Sequence, residues 1–300
     1  MRKFLAMVIA FGVLFSTASA HGDNSHFLAP QDVTVKTSKV NGNVYMLQGR
    51  GGNIGALVGP EGILIVDDDY KNVSEKLAEA LKVLGSASPK FILNTHWHGD
   101  HTEGNQFFGK GSVIVAHQNV RMRLAQVNTV FGNKTTPYPE FALPMITYTE
   151  SMSIHFAGEE VRAVHYPNGH TDGDTVVFFK KSNVVHFGDN FFAGRFPFVD
   201  LENGGSVQGL IKNIGSLIND VPADAKLIPG HGPVASLADL KAYHQMLIES
   251  STIVTDQMKS GKTLEEIKKA GFPEKFKEAG SGFIKSDFWI ETVFKSYGKK

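Results

Sequence analysis

The chain has 300 residues, 42% of them hydrophobic and 20% charged, which suits one large globular domain and excludes a fibrous or disordered polymer. Thirty basic side chains stand against 30 acidic ones, so no net charge favours a nucleic acid or other polyanion as partner. Cysteine is absent, which excludes a disulfide framework and a lipid-anchored cysteine.

The first segment reads as a secretory signal peptide over residues 1–20. Arg2-Lys3 opens it, a mostly apolar run from Phe4 to Phe15 follows, and small residues close it at Ala18-Ser19-Ala20. That run is too short to span a bilayer, which takes roughly 20 residues. Cleavage after Ala20 removes Arg2 and Lys3, leaving 28 basic and 30 acidic side chains. The expected mature chain is one domain over residues 21–300, periplasmic or secreted, with no stable membrane association. Its oligomeric state is not legible.

Residues 21–32 are polar and include His21 and His26. Val33 to Leu47 then predicts two strands around the turn Asn41-Gly42. Gly49-Arg50-Gly51-Gly52-Asn53 lacks a complete dinucleotide fingerprint and reads as a plain turn. A hairpin is expected from Ile54–Val58 and Ile63–Val66, ending in Asp67-Asp68-Asp69. Apolar residues at 73, 77, 81 and 84 space out one buried helix face. Phe91–Leu93 and Ser112–Ala116 read as strands, and Gln118–Val127 as a helix. Residues 128–147 contain Pro137, Pro139 and Pro144 without periodicity, and suit either a lid or a surface loop. Strands follow at Ser151–Phe156, Glu160–His165, Thr175–Phe179 and Asn183–Phe187. A helix at Val207–Ile218, a strand at Lys226–Ile228 and a long helix from Ser236 to about Met258 come next. Leu264–Ala270 and Phe288–Phe294 form a helical tail from about residue 260.

The densest chemistry lies in His96-Trp97-His98-Gly99-Asp100-His101, directly after Phe91-Ile92-Leu93-Asn94-Thr95. On a strand, alternate side chains share a face, so His96 and His98 are expected to converge at its end. Imidazole nitrogens and carboxylate oxygens are ligands for zinc and similar divalent ions. Three further loops carry the same groups: His170 in Asn168-Gly169-His170-Thr171-Asp172, Asp189 in Phe187-Gly188-Asp189-Asn190, and His231 in Pro229-Gly230-His231-Gly232.

The H-x-H-x-D-H hexad with these three later residues, in this order, resembles the metallo-β-lactamase superfamily over nearly the whole mature chain. The resemblance implies an α/β fold, the αββα sandwich. It also implies two zinc ions, with iron or manganese as alternatives. His96, His98 and His170 would hold one ion, Asp100, His101 and His231 the other, and Asp189 would bridge them. Seven ligands for two ions leave positions open, as a catalytic site requires. Two metals roughly 3.5–4 Å apart can share a hydroxide whose parent water has its pKa lowered from 15.7 towards about 7.

The resulting expectation is an exported two-metal hydrolase of an ester, thioester or amide/lactam bond in a small-molecule substrate. Asp100 has a second, catalytic reading, as carrier of a proton to the leaving group. The resemblance also implies that Asp67, at the end of its strand, supports the metal loop. Phe191, Phe192, Phe196 and Phe198 suit either a substrate wall or core packing, and Arg195 among them could meet a substrate carboxylate. His117, His155, His165, His186 and His244 read as structural. Zinc β-lactamases of the commonest subclass carry Cys where Asp189 stands, and the ligand set here looks glyoxalase-II-like. β-Lactam hydrolysis as the main activity, a mononuclear iron dioxygenase and a non-catalytic metal-binding protein remain as alternatives.

Overall fold

Gly62–Val66 (β4) shows how the layers arise. Ile63 and Ile65 point one way, into a cluster with Leu77 and Leu81 of the helix Ser74–Val83 (α1). Leu64 and Val66 point the other way, into a cluster shared with Val161, Ala163, Val177 and Phe179. Side chains alternate across a strand, so a strand apolar at every position must be covered on both faces. The computed structural model describes residues 33–298. The expected signal peptide, His21 and His26 lie outside those residues.

One sheet has seven strands in the order β1-β2-β3-β4-β5-β6-β9. Besides β4 these are Lys36–Asn41 (β1), Val44–Gln48 (β2), Ile54–Gly59 (β3), Phe91–Asn94 (β5), Val113–His117 (β6) and Ile146–Tyr148 (β9). The pairs from β1 to β4 are antiparallel, and β4, β5, β6 and β9 run parallel. A second sheet holds Ser151–Phe156 (β10), Glu159–His165 (β11), Thr175–Phe179 (β12), Val184–His186 (β13) and Lys226–Ile228 (β14) in sequence order. Only its last pair, β13 with β14, is parallel.

Three apolar layers result. Alpha1 covers the larger sheet, and the two sheets face each other through the cluster around Leu64 and Val177. The helices Val207–Asp220, Leu237–Lys259, Leu264–Ala270 and Ser286–Gly298 cover the smaller sheet through Leu210, Leu240, Ile267 and Trp289. This is the α/β sandwich, αββα. Each fully buried aliphatic or aromatic side chain contributes about 1.5–3 kcal/mol, so these layers can sustain a fold that has no cysteine to cross-link. Among the described residues no helix is long and apolar enough to cross a membrane.

The parallel run matters most for the site. It brings the ends of β4 and β5 to one rim, and the parallel β13–β14 pair does the same in the other sheet. The Thr175 N–H, at the start of β12, donates to the Thr95 carbonyl at 2.8 Å and stitches the two sheets together there.

Candidate metal centre

The expected placement of His96 and His98 along a strand is corrected by the structure. Strand β5 stops at Asn94, and His96–His98 lie in the turn beyond it. The reason is local: the Thr95 N–H donates to Asp67 Oδ1 at 2.7 Å instead of to a neighbouring strand. Asp100 and His101 sit on a one-turn helix, Gly99–Thr102 (α2). His170 and Asp189 come from the loops before β12 and after β13, and His231 from the loop after β14.

All seven expected side chains converge. Ligand-type atoms of His96, His98 and His170 lie within 4.8 Å of one another, as do those of Asp100, His101 and His231, and those of His96, His101 and Asp189. Asp189 stands between the two triads. Its Oδ2 is 3.5 Å from His170 Nε2 and 3.9 Å from His96 Nε2. Its Oδ1 is 3.0 Å from His101 Nε2 and 3.5 Å from His231 Nε2. His98 Nδ1 is 2.8 Å from His170 Nε2, and Asp100 Oδ2 is 3.3 Å from His231 Nε2. Ligands on a tetrahedron of radius about 2.0–2.1 Å lie roughly 3.3 Å apart, so these spacings fit two ions.

Unsatisfied atoms point the same way. His96 Nε2, His101 Nε2 and Asp189 Oδ1 are buried with no hydrogen-bond partner. Each such atom costs about 1–3 kcal/mol if left alone, a cost that a bound cation offsets. The outward nitrogens of four of the five rings are held. His101 Nδ1 is 2.7 Å from Asp67 Oδ2, His98 Nε2 is 2.9 Å from Asp200 Oδ2, His96 Nδ1 is 3.0 Å from Thr95 Oγ1, and His170 Nδ1 is 2.8 Å from the Phe198 carbonyl. These contacts fix each ring's orientation and the nitrogen it offers inward.

Charge is balanced within the cluster. Burial works to raise the Asp189 carboxyl, but His101, His231 and His170 hold it well below the usual carboxylate range. In return, and against burial, Asp189 and Asp100 lift His231 to about 9. Burial and the neighbouring His101 push His96 well down. Protonated imidazoles must lose their protons before they can ligate, so metal uptake competes with protons and releases them.

Asp67 supports the metal loop as expected. It is fully buried with φ of 65°, a left-handed conformation that Asp tolerates better than most residues. It also accepts from Thr95 Oγ1 at 2.8 Å. Asp67→Asn keeps the shape and the backbone tolerance but removes the charge facing His101. Metal affinity at the Asp100–His101–His231 triad is expected to fall about 10–100-fold, as read by competition with a chromophoric chelator.

Several contributors carry no sequence signal. The glycine loop at 49–53, read as a plain turn, is a wall of the centre: Gly52 lies directly against the His101 ring. Asp69 anchors this loop by accepting from the Arg50 and Gly51 N–H groups at 2.9 and 2.8 Å. Asp200 is equally silent in sequence, as is the bond that the Phe198 backbone carbonyl makes to His170. The four phenylalanines divide: Phe191 and Phe196 are core, packed on Tyr243 and Trp289, while Phe192 and Phe198 line a cleft of about 950 Å³ over the centre that Phe196 also borders. Trp97, Phe131, Tyr138, Arg195 and Phe283 complete much of its wall.

His117, His165, His186 and His244 bond backbone groups. Buried against Thr149 and stacked on His165 at 3.7 Å, His117 is pushed by burial from 6.5 down to about 4. It stays neutral in the fold while the unfolded chain charges, so its contribution is complete above pH 6.5 and is lost as pH falls towards 4. The expected loss is roughly 2 kcal/mol after allowing for solvent reaching the ring. An NMR titration of the His117 ring should show no protonation above about pH 5.

Comparisons with known proteins bear on the family and the fold. A family model described as the metallo-beta-lactamase superfamily matches residues 39–239. A probable metallo-hydrolase of Methanocaldococcus jannaschii is 27% identical over 188 residues, spanning 59% of this chain and 86% of that protein. Among solved structures, a metallo-beta-lactamase from Pontibacter korlensis superposes with a TM-score of 0.58 at 16% identity, covering 71% of this chain and 99% of that one. A variant of the sec-alkyl sulfatase PisA1 reaches 0.68 at 13% identity, covering 88% of this chain and 50% of that one. At these identities the structural matches speak for the fold alone.

Proposed function

The chain belongs to the metallo-beta-lactamase superfamily, and on that premise we propose that it is an exported hydrolase that uses two metal ions to cleave an acyl bond. His96, His98 and His170 would hold one ion, and Asp100, His101 and His231 the other. The observation that carries the reading is the division of Asp189, with one carboxylate oxygen turned to each triad. Imidazole and carboxylate at tetrahedral spacing suit zinc best, with iron or manganese as alternatives. Bound there, the ions supply a water whose pKa is lowered from 15.7 towards about 7 and Lewis acidity for the oxygen of the attacked group.

The remaining work falls to the chain. Asp67, Asp200, Thr95 and the Phe198 carbonyl keep the imidazoles in one orientation. Among the seven centre residues, Asp100 is a carboxylate partly open to the cleft, its side chain 21% exposed. Its Oδ2 faces His231 and His101, which leaves Oδ1 to carry a proton to the leaving group. The aromatic walls exclude water and grip an apolar body. Arg195 is exposed at the cleft, and among the described residues no ion pair engages it. It suits a substrate that carries an anionic group beside the scissile acyl bond. Export and a periplasmic or secreted location rest on the pattern of residues 1–20.

The test is metal analysis of the protein purified without residues 1–20, followed by a zinc-loaded screen against nitrocefin, lactones, thioesters and phosphodiesters. About two zinc ions per chain with turnover of an acyl substrate is the expected result. One iron per chain with oxygen consumption would replace the reading by a dioxygenase, and tight metal binding without turnover of any substrate would replace it by a binding protein.

A further inference from the structure

Residues 129–134 form a small hairpin, Thr129–Val130 (β7) with Asn133–Lys134 (β8), that walls the cleft through Val130, Phe131, Asn133 and Lys134. Its turn has Phe131 at φ of 50° and Gly132 at φ of 75°, the pattern of a two-residue turn with both central residues left-handed. Glycine takes that conformation freely, but a bulky residue is strained there. The Phe131 ring is correspondingly engaged, stacked on Phe198 at 4.2 Å and edge-on to Phe283 at 5.6 Å.

Two connections run from this hairpin into the centre, and both end on the same triad. The first passes through Asn203, which is buried. Its Nδ2 donates to the Thr129 carbonyl at 2.9 Å and to the Asp200 carboxylate at 2.9 and 2.8 Å. Asp200 Oδ2 in turn is 2.9 Å from His98 Nε2. Arg123 Nη1 donates to Asn203 Oδ1 at 3.0 Å and fixes which way the amide faces. The second connection passes through Phe198. Its ring carries Phe131 and its carbonyl is bonded to His170 Nδ1. The other triad is braced from the opposite side, by Asp67 and the glycine loop.

We propose that Asn203 is a positioning residue that latches the cleft hairpin to His98 through Asp200, so that the hairpin's seat sets the geometry of the His96–His98–His170 triad and leaves the other triad unaffected. The chemistry needs an amide at this position. One NH2 group must serve a carboxylate and a peptide carbonyl together while the amide oxygen meets a guanidinium, and neither a carboxylate nor a hydroxyl side chain offers that set. A change in the hairpin's seat is therefore passed to His98 through Asn203 and Asp200. The inference rests on the two-metal reading.

The test compares wild type, Asn203→Ala and Phe131→Ala, each loaded with cobalt(II) alone and with folding checked by circular dichroism. Phe131 is 46% exposed, so its replacement leaves the fold in place and keeps the question answerable should Asn203→Ala fail to fold. In both variants, amides of residues 129–134 should exchange about tenfold faster or more. Cobalt affinity at the His96–His98–His170 triad, read from paramagnetically shifted imidazole resonances, should fall about 10–100-fold, with the other triad within about twofold. For the substrate found in the screen, KM should rise more than kcat falls. Unchanged hairpin exchange in Asn203→Ala would overturn the proposal, as would an equal loss at both triads, or a loosened hairpin in Phe131→Ala with cobalt affinity intact. If wild type itself takes up no pair of ions, the two-metal reading fails, a result distinct from a latch that loosens nothing in a protein that does bind them.

Discussion

Asp189→Ala is expected to abolish turnover, lowering kcat/KM by roughly 10³-fold or more, about 4 kcal/mol of transition-state stabilisation. Asp189 is buried, and its two oxygens face four imidazoles, those of His96, His101, His170 and His231. Removing it takes away the one carboxylate common to both triads and leaves several imidazoles without a counter-charge. Metal content should drop from about two ions per chain to one or fewer, as read by elemental analysis of the dialysed protein. Asp189→Asn keeps the volume and removes the charge, and is expected to lie near the alanine variant, because the negative charge is what offsets two cations. Activity within tenfold of wild type in either variant, with two ions retained, would remove Asp189 from the mechanism.

Gly52→Ala is expected to destroy the centre through sterics alone. A Cβ at Gly52 would lie 2.1 Å from His101 Cε1, 2.4 Å from Nε2 and 2.6 Å from Nδ1, well inside the roughly 3.5–4.0 Å at which carbon atoms rest against each other. Something must move. His101 is fully buried and tied to Asp67, so the ring has no free direction. The loop cannot yield easily either, since the Gly52 N–H donates to the Asp100 carbonyl and the Asn53 N–H to the Gly230 carbonyl. A loss of about 3 kcal/mol or more in urea unfolding is expected, together with loss of the ion at the Asp100–His101–His231 triad. Gly111→Ala is the control: its methyl would meet Ser88 Oγ at an ordinary 3.4 Å, and little change should follow. Equal behaviour of the two variants would show that the close approach at Gly52 has no consequence.

Asp67 and Asn203 mark how far the residues explain themselves in sequence. Asp67 closes an apolar strand just before the metal-bearing layer, and the family resemblance, in which this position often supports the metal loop, made its role legible. Asn203 and Asp200 stand 33 and 30 residues beyond His170, in a loop with no periodicity. Their roles exist only because the segment doubles back, with the Asp200 N–H donating to the His170 carbonyl at 2.9 Å. The hairpin inside residues 128–147 was equally hidden, since its strands are two residues each and its turn places Phe, not Asn or Asp, before the glycine.

The sequence by itself determined which residues are the candidate metal ligands. Metal coordination needs particular atoms, few side chains carry them, and seven such residues in a characteristic order stand out against any background. It also determined most of the strands and the larger helices, because their apolar periodicity is local. Only the tertiary structure decided that the hexad turns away from its strand, that a glycine loop presses on His101, and that a distant asparagine joins a cleft hairpin to His98. Those facts depend on which residue faces which across the rim of two sheets. Polar side chains and glycines carry no record in sequence of what lies opposite them.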